Sequence, residues 1–260
     1  MRTNRIMKAN HFKILSMPVA VTSYEDSAQR ILSAARNEES KYVCVANVHM
    51  CMETFDCCKF RTVVSNANLV VPDGIPLVIG LKRLGMTNAK QVRGSDLLLK
   101  VCKEAEIQDV PIGLYGGTPE SLFDFLFFLK NEFPNLEVPF FSSPPFRELN
   151  QTEKDAYVKE INSSGARILF VGIGCPKQEI WMAEHRGRVN CVMIGVGAAF
   201  DFFSGRKKHA PRWIQKSGFE WLFRLVDDPK RLWKRYLKHN PRFMYHFGKQ
   251  HIWHILSMKK

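Results

Sequence analysis

Several common signatures are missing from this 260-residue sequence, and each absence excludes a class of protein. Its longest apolar stretches are broken by glycine or by a charge well before the ~20 residues that a bilayer-spanning helix needs, so we expect no transmembrane segment. The N-terminal stretch is polar and basic and lacks the apolar region of a secretory signal, which predicts a protein that works on the cytoplasmic side. The histidines form no HxxxH or HExxH pair and the cysteines lack metal-ligand spacing. We therefore predict no metal site.

Nucleotide-binding signatures are absent as well. No GxGxxG motif is followed by an acidic residue ~20 positions later, which argues against a Rossmann-type dehydrogenase. No Asp-x-Asp pair is available to hold the metal ion of a nucleotide sugar. The seven cysteines are odd in number and scattered, a pattern that favours reduced core thiols over a disulfide framework.

The net charge of +13 lies almost entirely in the C-terminal part of the chain. Residues 1–205 hold 23 Lys+Arg and 22 Asp+Glu, whereas residues 206–260 hold 15 and 3, together with four of the five tryptophans. We predict a core domain over residues 1–205 and a basic, aromatic-rich helical appendage over residues 206–260. Such an appendage suits an anionic partner, whether membrane phospholipid, nucleic acid or a phosphate-bearing substrate.

Short apolar runs alternate with segments of helical spacing through the core. This alternation predicts an α/β fold, a Rossmann-like, mainly parallel sheet with helices on both faces. Strands are predicted at residues 42–46, 69–71, 111–115, 167–171 and 191–196. Helices are predicted at residues 27–35, 49–59, 75–84, 95–104, 119–128, 153–161 and 178–184. The proline-rich region after Phe133 is predicted to be a loop between two halves of the sheet.

Polar residues follow the first two predicted strands, at the sheet edge where such folds bind ligands. The amide of Asn47 can bind a sugar hydroxyl or a base, or it can cap the next helix. Asp73 lies between a proline and a glycine, where a carboxylate can act as a general base or simply shape a turn.

Two glycine-rich junctions follow later strands. Gly116 and Gly117 run into a helix that begins with proline, so they either expose backbone N–H groups to a phosphate or form a plain tight turn. The second junction combines glycine, a cation, an amide and a carboxylate, all as candidate ligands for a donor or an acceptor. Its residues are Gly174, Lys177, Gln178 and Glu179. Arg93 begins a turn before a helix and is read as a candidate ligand or as a surface charge.

The order of these motifs resembles that of the WecG/TagA/CpsF family of bacterial glycosyltransferases. The resemblance covers residues 46–236 and rests on the segments NVHM, VPDGIP, VRGSDLL, LYGGTPESL, GIGCPKQE, GVGAAFDFFSG and APRWIQKSGFEWLFRLVDDPKRLWKRYL. It implies an inverting enzyme, free of metal and cofactor, that moves a sugar from a UDP-sugar to a polyprenyl-diphosphate-linked saccharide. Such enzymes build capsule, exopolysaccharide or teichoic acid linkage units on the cytoplasmic face of the membrane.

The resemblance also implies residue roles. Asp73 falls at the position of the family's base, and Asn47 and Gln178 fall at polar positions that line the sugar site. A basic triad would hold the donor diphosphate in place of a metal ion. Its members here are Arg224, Arg231 and Lys234.

The chain departs from the family pattern at three positions. Gln91 stands where many members have arginine, which leaves open whether Arg93 supplies that cation. Lys234 replaces an arginine and loses its bidentate fork, so that the adjacent Arg235 is a possible substitute. His209 stands where an arginine commonly precedes Ala-Pro.

The appendage predicts peripheral binding to an anionic membrane surface at the inner face of the plasma membrane, because a lipid-linked acceptor stays in the bilayer. A homo-oligomer is a further possible partner arrangement, and nucleic acid is not expected. Two alternatives stay open from the residues: a non-catalytic scaffold in polysaccharide assembly and a nucleic-acid-binding protein.

Overall fold

The computed structural model describes residues 11–203, 205 and 210–258, with the side chains of residues 215–217 left undescribed. The strands run in chain order as follows: β1 His11–Ile14, β2 Met17–Ala20, β3 Lys41–Ala46, β4 Leu69–Pro72, β5 Ile112–Gly116, β6 Phe140–Ser142, β7 Ile168–Gly172 and β8 Val192–Gly195. The helices are α1 Tyr24–Arg36, α2 Val48–Asp56, α3 Cys58–Ser65, α4 Ile75–Arg83, α5 Gly94–Ile107, α6 Pro119–Glu132, α7 Gln151–Ser164, α8 Lys177–His185, α9 Ala199–Phe203, α10 Arg212–Ser217, α11 Glu220–Asp227 and α12 Pro229–Met258.

Six strands form one parallel sheet in the order β4-β3-β8-β7-β5-β6, which confirms the predicted fold class. The strands are continuous apolar runs because helices cover both faces of the sheet. One face packs α1, α5, α6 and α9 against a buried cluster that includes Ile31, Leu98 and Phe125. The other face carries α2, α3, α7 and α8 over a second cluster that includes Met50 and Met182.

Local signals explain where the helices begin. Ser23, Asn47 and Thr118 cap α1, α2 and α6 by accepting a backbone N–H of the first turn. Asn150 and Glu153 form a capping box at α7. All five predicted strands and six of the seven predicted helices are present, within a few residues of the predicted bounds.

Three predictions of local structure need correction. The predicted helix at residues 49–59 is two helices, because the chain breaks into extended backbone at Cys57. The proline-rich region is not a link between halves of the sheet, since it contributes β6, an edge strand paired with β5. The antiparallel hairpin β1–β2 was not predicted, because each strand has only four residues.

The C-terminal helices lie against the core. Arg242 of α12 forms two hydrogen bonds of 2.7 and 2.8 Å with the carboxylate of Asp56 on α2. Gln250 accepts the N–H of Leu15 and donates to the carbonyl of Lys13, which ties α12 to the β1–β2 hairpin. The helical nature of the predicted appendage is therefore confirmed for residues 212–258.

The cysteines are free, as predicted, and none of the described helices is long and apolar enough to cross a bilayer. Cys57 and Cys58 are exposed, whereas Cys175 is partly buried and the other four are fully buried.

Candidate active site

Asp73 and Asn47 lie side by side at the carboxyl edge of the sheet. Ala46 and Pro72 are paired in the parallel register of β3 and β4, so the residues that follow them emerge next to each other. Asp73 donates its backbone N–H to the carbonyl of Ala46 at 2.8 Å, and this bond fixes the turn. Asn47 uses its side-chain oxygen to accept the N–H of Met50 at 3.2 Å, so the capping interpretation is confirmed.

The Asp73 carboxylate faces the first turn of α5. Its Oδ1 accepts the backbone N–H of Gly94 at 3.0 Å, and its main-chain carbonyl accepts the Gln91 side-chain amide at 2.6 Å. Among the described residues no donor pairs with Oδ2. Burial raises the pKa of Asp73 above its usual range, against the opposing effects of Arg224 and the Gly94 N–H. The site thus holds a carboxylate with one oxygen fixed and one available.

Two cavities meet at Asp73. The larger, here the apolar cavity, has a volume of about 230 Å³, and its apolar lining consists of Val48, Ile75, Pro76, Trp221, Phe243 and Met244. The smaller, here the glycine cavity, has a volume of about 140 Å³, and its lining includes Gly94, Gly174, Gly195 and Gly197. Both are lined by Asn47, Asp73, Arg224, Arg235 and Tyr236. Asp73 is therefore accessible from either side.

The C-terminal helices bring cations to this junction. Arg224 of α11 lies 4.9 Å from the centre of the Phe202 ring and donates through Nε to Glu220 at 2.9 Å. Burial lowers the pKa of Arg224, but the carboxylates of Glu220 and Asp73 outweigh that effect and raise it. Glu220 also approaches Arg93 at 3.4 Å. This ion-pair network joins α5 to α11 directly beside Asp73.

The other members of the predicted basic triad have different positions. Arg231 lines the glycine cavity and donates to Asp228 at 2.6 Å. Lys234 is exposed, lines neither cavity and lies 5.6 Å from the centre of the Trp233 ring. Arg235 lines both cavities instead, and its buried Nε has no hydrogen-bond partner among the described residues. The structure thus places Arg235, rather than Lys234, at the site.

The second glycine junction is organised by a buried amide. The Gln178 side-chain oxygen accepts the N–H groups of Gly174 and Gly197 at 3.2 and 3.1 Å, which holds two loops of the glycine cavity together. Its nitrogen donates to Glu179 at 2.7 Å, and burial raises the pKa of Glu179 to about 7. Gly174 and Gln178 line the cavity, whereas Glu179 is buried outside its lining and Lys177 points to solvent.

Three further predicted ligands lie outside both cavities. Arg93 is buried and contacts Glu220 and Asp96, so it supports the site without lining either cavity. Gly116 ends β5 and Gly117 follows it, both with positive φ, and the N–H of Gly117 donates to the carbonyl of Gly172 at the end of the neighbouring strand β7. His209 lies outside the described residues.

Gly116 is required by packing. Its φ is +123°, and a Cβ there would lie 2.6 Å from the backbone carbon of Gly172. We expect Gly116→Ala to lower the free energy of unfolding by about 3 kcal/mol or more, because the cost of a strained φ is added to the cost of a clash with the backbone. Gly85 is the matched control, since its φ is +96° but nothing lies within 4 Å. In urea unfolding, Gly85→Ala should lower the free energy of unfolding by only about 1 kcal/mol. Equal losses in the two variants would contradict the claim that packing against Gly172 requires glycine at position 116.

Several residues at the junction were not singled out from the sequence. Glu220 is one of them: it lies four residues before Arg224, which the resemblance had already singled out, and this spacing in the sequence indicates an ion pair. Tyr236, whose ring packs edge-on against Trp221 at 5.7 Å, and the apolar residues from α4 and α12 are recognised only once the chain is folded.

Comparison with known proteins identifies the family to which the chain belongs. The family model described as "Glycosyl transferase WecG/TagA/CpsF family" matches residues 12–256. A relative from Bacillus spizizenii is 28% identical over 204 residues, 75% of this chain and 74% of its own. One from Staphylococcus aureus is 31% identical over 191 residues, 73% and 72% of the two chains. Both relatives are named N-acetylglucosaminyldiphosphoundecaprenol N-acetyl-beta-D-mannosaminyltransferase. The match spans the core and the C-terminal helices alike, and the chain is thus a glycosyltransferase that belongs to the WecG/TagA/CpsF family.

Proposed function

We propose that this glycosyltransferase moves a hexose, an N-acetylhexosamine or its uronic acid from a UDP-sugar to a polyprenyl-diphosphate-linked sugar in bacterial cell-surface polysaccharide synthesis. The observation that carries the proposal is the position of Asp73, where an apolar cavity meets a smaller cavity lined by glycines and arginines. The names of the two relatives support a lipid-diphosphate-linked acceptor.

The two cavities suit two substrates. In the proposal the donor occupies the glycine cavity, where glycines permit close approach and Arg224, Arg231 and Arg235 face the diphosphate. The acceptor sugar enters through the apolar cavity, whose aromatic and aliphatic lining matches a sugar ring and the first part of a lipid.

The proposed reaction is a single displacement. Oδ2 of Asp73 takes the proton of the acceptor hydroxyl as that oxygen attacks the anomeric carbon of the donor. The bond between that carbon and the UDP oxygen breaks, and the electron pair leaves with UDP. Fixed guanidinium groups stabilise the charge that develops on the departing diphosphate, the role that a metal ion has in other transferases. No cofactor takes part in the proposed step.

The C-terminal helices also suit membrane docking. Large apolar side chains are exposed beside cations on α10 to α12, among them Trp213 (72% exposed), Trp233 (48%) and Trp253 (73%). Aromatic side chains with neighbouring cations favour the interface of an anionic bilayer. We propose peripheral binding at the cytoplasmic face of the membrane, where a lipid-linked acceptor is available to the apolar cavity.

The proposal is tested by UDP release from a panel of UDP-sugars. The acceptor, polyprenyl-diphosphate N-acetylglucosamine or glucose, is presented in vesicles of anionic or of neutral phospholipid. We expect release that requires the acceptor, selects one donor and is faster on anionic vesicles. Turnover of no donor with either acceptor would reject the proposed substrates, and equal rates on the two vesicles would reject the docking role of the appendage.

A further inference from the structure

A cluster of two histidines and one glutamate joins the C-terminal helix to the core. His49 and Glu53 are one turn apart on α2, and His239 faces them from α12. His49 also lines the apolar cavity, whereas neither Glu53 nor His239 has a place in the proposed transfer reaction. The sequence search for paired histidines could not find this cluster, because its third member comes from a distant helix.

The ligand atoms lie at the separations that a metal ion requires. Oε1 of Glu53 is 3.8 Å from Nδ1 of His49 and 3.5 Å from Nε2 of His239, and one ligand atom from each residue fits within 4.8 Å of the others. Tetrahedral zinc with bonds of about 2.0–2.1 Å sets its ligands about 3.4 Å apart. The separations of 3.8 and 3.5 Å from Glu53 are close to this value.

The two histidines are largely shielded from water, whereas Glu53 is 26% exposed, and part of the cluster's hydrogen-bonding capacity is not used. His239 is 3% exposed, and Nδ1 of His49 is buried without a hydrogen bond among the described residues. The two rings are 4.9 Å apart and tilted by 33°, so the two imidazoles are close neighbours. Buried polar atoms without partners are rare in folded proteins, and a bound ion is one explanation for them.

The three ligand side chains indicate which class of metal ion this cluster would bind. Two imidazoles and one carboxylate suit zinc and its transition-metal neighbours, whereas magnesium and calcium prefer oxygen ligands. Arg235, Lys238 and Arg242 bring positive charge near the cluster, of which Arg242 is paired with Asp56. This charge opposes the binding of any dication, so the preference for zinc rests on the two imidazoles, and the Glu53 carboxylate supplies the negative charge within the cluster.

We propose that His49, Glu53 and His239 bind one zinc ion that clamps α12 to α2 beside the apolar cavity. The fourth coordination position would be open towards water. The role is structural: the ion holds the helix that carries Arg235 and Tyr236, and it takes no part in the transfer step. This inference is independent of the identity of donor and acceptor.

The test is a zinc titration of the full-length protein after chelator stripping, in competition with a chromogenic chelator. We expect one zinc per chain, and substitution by cobalt(II) should give visible d–d absorption typical of four-coordination. His239→Ala and Glu53→Gln should each weaken zinc binding at least about tenfold, since even residues that only orient metal ligands are worth about 10–100-fold. His254→Ala, on the same helix but outside the cluster, should leave affinity within about twofold of the wild type.

Glu53→Gln separates loss of a zinc ligand from loss of folding, because it preserves the size of a partly exposed side chain. At one zinc concentration, zinc should raise the melting temperature of the wild type by more than that of Glu53→Gln. Failure of the wild type to bind one equivalent of zinc, or unchanged affinity in both cluster variants, would overturn the proposal. Neither result would bear on the transferase reaction, which is measured by UDP release.

Discussion

Replacing Asp73 by asparagine is expected to lower kcat by at least about a hundredfold, the scale of a lost general base. Asparagine keeps a side-chain oxygen that can accept the Gly94 N–H, so the contact between the β4–α4 turn and α5 should persist. What disappears is the proton acceptor at Oδ2. The dissociation constant of UDP, measured by calorimetry, should stay within about threefold of the wild type, because diphosphate binding rests on the arginines.

Asp96→Asn is the matched control for this prediction. Asp96 is a neighbouring, half-exposed carboxylate that contacts Tyr24 and Arg93 and lines neither cavity. Its variant should retain kcat within about threefold, as is usual for surface substitutions away from a site. Normal turnover in Asp73→Asn would show that Asp73 only shapes a turn, and an equal loss in both variants would point to a general disturbance of α5.

The acid limb of the pH profile provides a second readout on the same residue. A base must be deprotonated to work, and burial raises the pKa of Asp73. Activity should therefore fall with decreasing pH at a midpoint above 3.8, the ordinary value for aspartate.

The second large effect is expected at Arg235. Arg235→Ala should lower kcat/KM by about a hundredfold, the loss that follows removal of one fixed charge-stabilising donor. Lys234→Ala should stay within about threefold of the wild type, because its side chain is exposed and lines neither cavity. The two variants remove the same charge from adjacent positions on one helix, so their difference reports position and not net charge.

Arg235→Lys distinguishes charge from geometry in this comparison. Lysine retains the positive charge but cannot form the bidentate fork with a diphosphate, so partial recovery is expected. A loss in Lys234→Ala that matches the loss in Arg235→Ala would contradict the assignment and return the role to Lys234.

The sequence determines much of the fold because the central strands of its sheet are almost fully buried. Continuous apolar runs such as residues 42–46 and 167–171 exclude most alternatives to a parallel sheet, and caps such as Ser23 and Asn150 mark helix starts. The elements that escaped prediction are short or irregular. β6 has three residues within a proline-rich stretch, and its pairing depends on the edge that β5 leaves free.

The site was predictable where it follows from sheet topology. Asp73 and Asn47 come directly after neighbouring strands, so their proximity follows from the parallel register. The arginines of α12 depend instead on which face of the helix meets the core. Leu232, His239 and Phe243 are buried and define that face. In a helix of 3.6 residues per turn, Arg235 lies close to this buried face and Lys234 lies on the opposite side. Which residues of α12 are buried is known only from the folded structure.

The sequence motifs alone do not show which of their residues line the two cavities. Glycines at Gly116 and Gly174 look alike in sequence, yet the first is fixed by contact with Gly172 and the second lines a cavity. Lys177 and Glu179 flank Gln178 in the sequence but do not line the cavity: the Lys177 side chain is exposed to solvent and the Glu179 side chain is buried in the interior. Side-chain direction, and not the type of residue, separates the ligands from their neighbours.

The central claim is a single displacement in which Asp73 acts as the base. At the junction Asp73 is the carboxylate shared by both cavities, while Glu220 is engaged by Arg93 and Arg224. The most direct measurement is the anomeric configuration of the product, obtained from the one-bond C1–H1 coupling in its NMR spectrum. The account predicts inversion relative to the UDP-sugar donor. A product that retains the donor's configuration would require a covalent or front-face mechanism and would contradict the role assigned to Asp73.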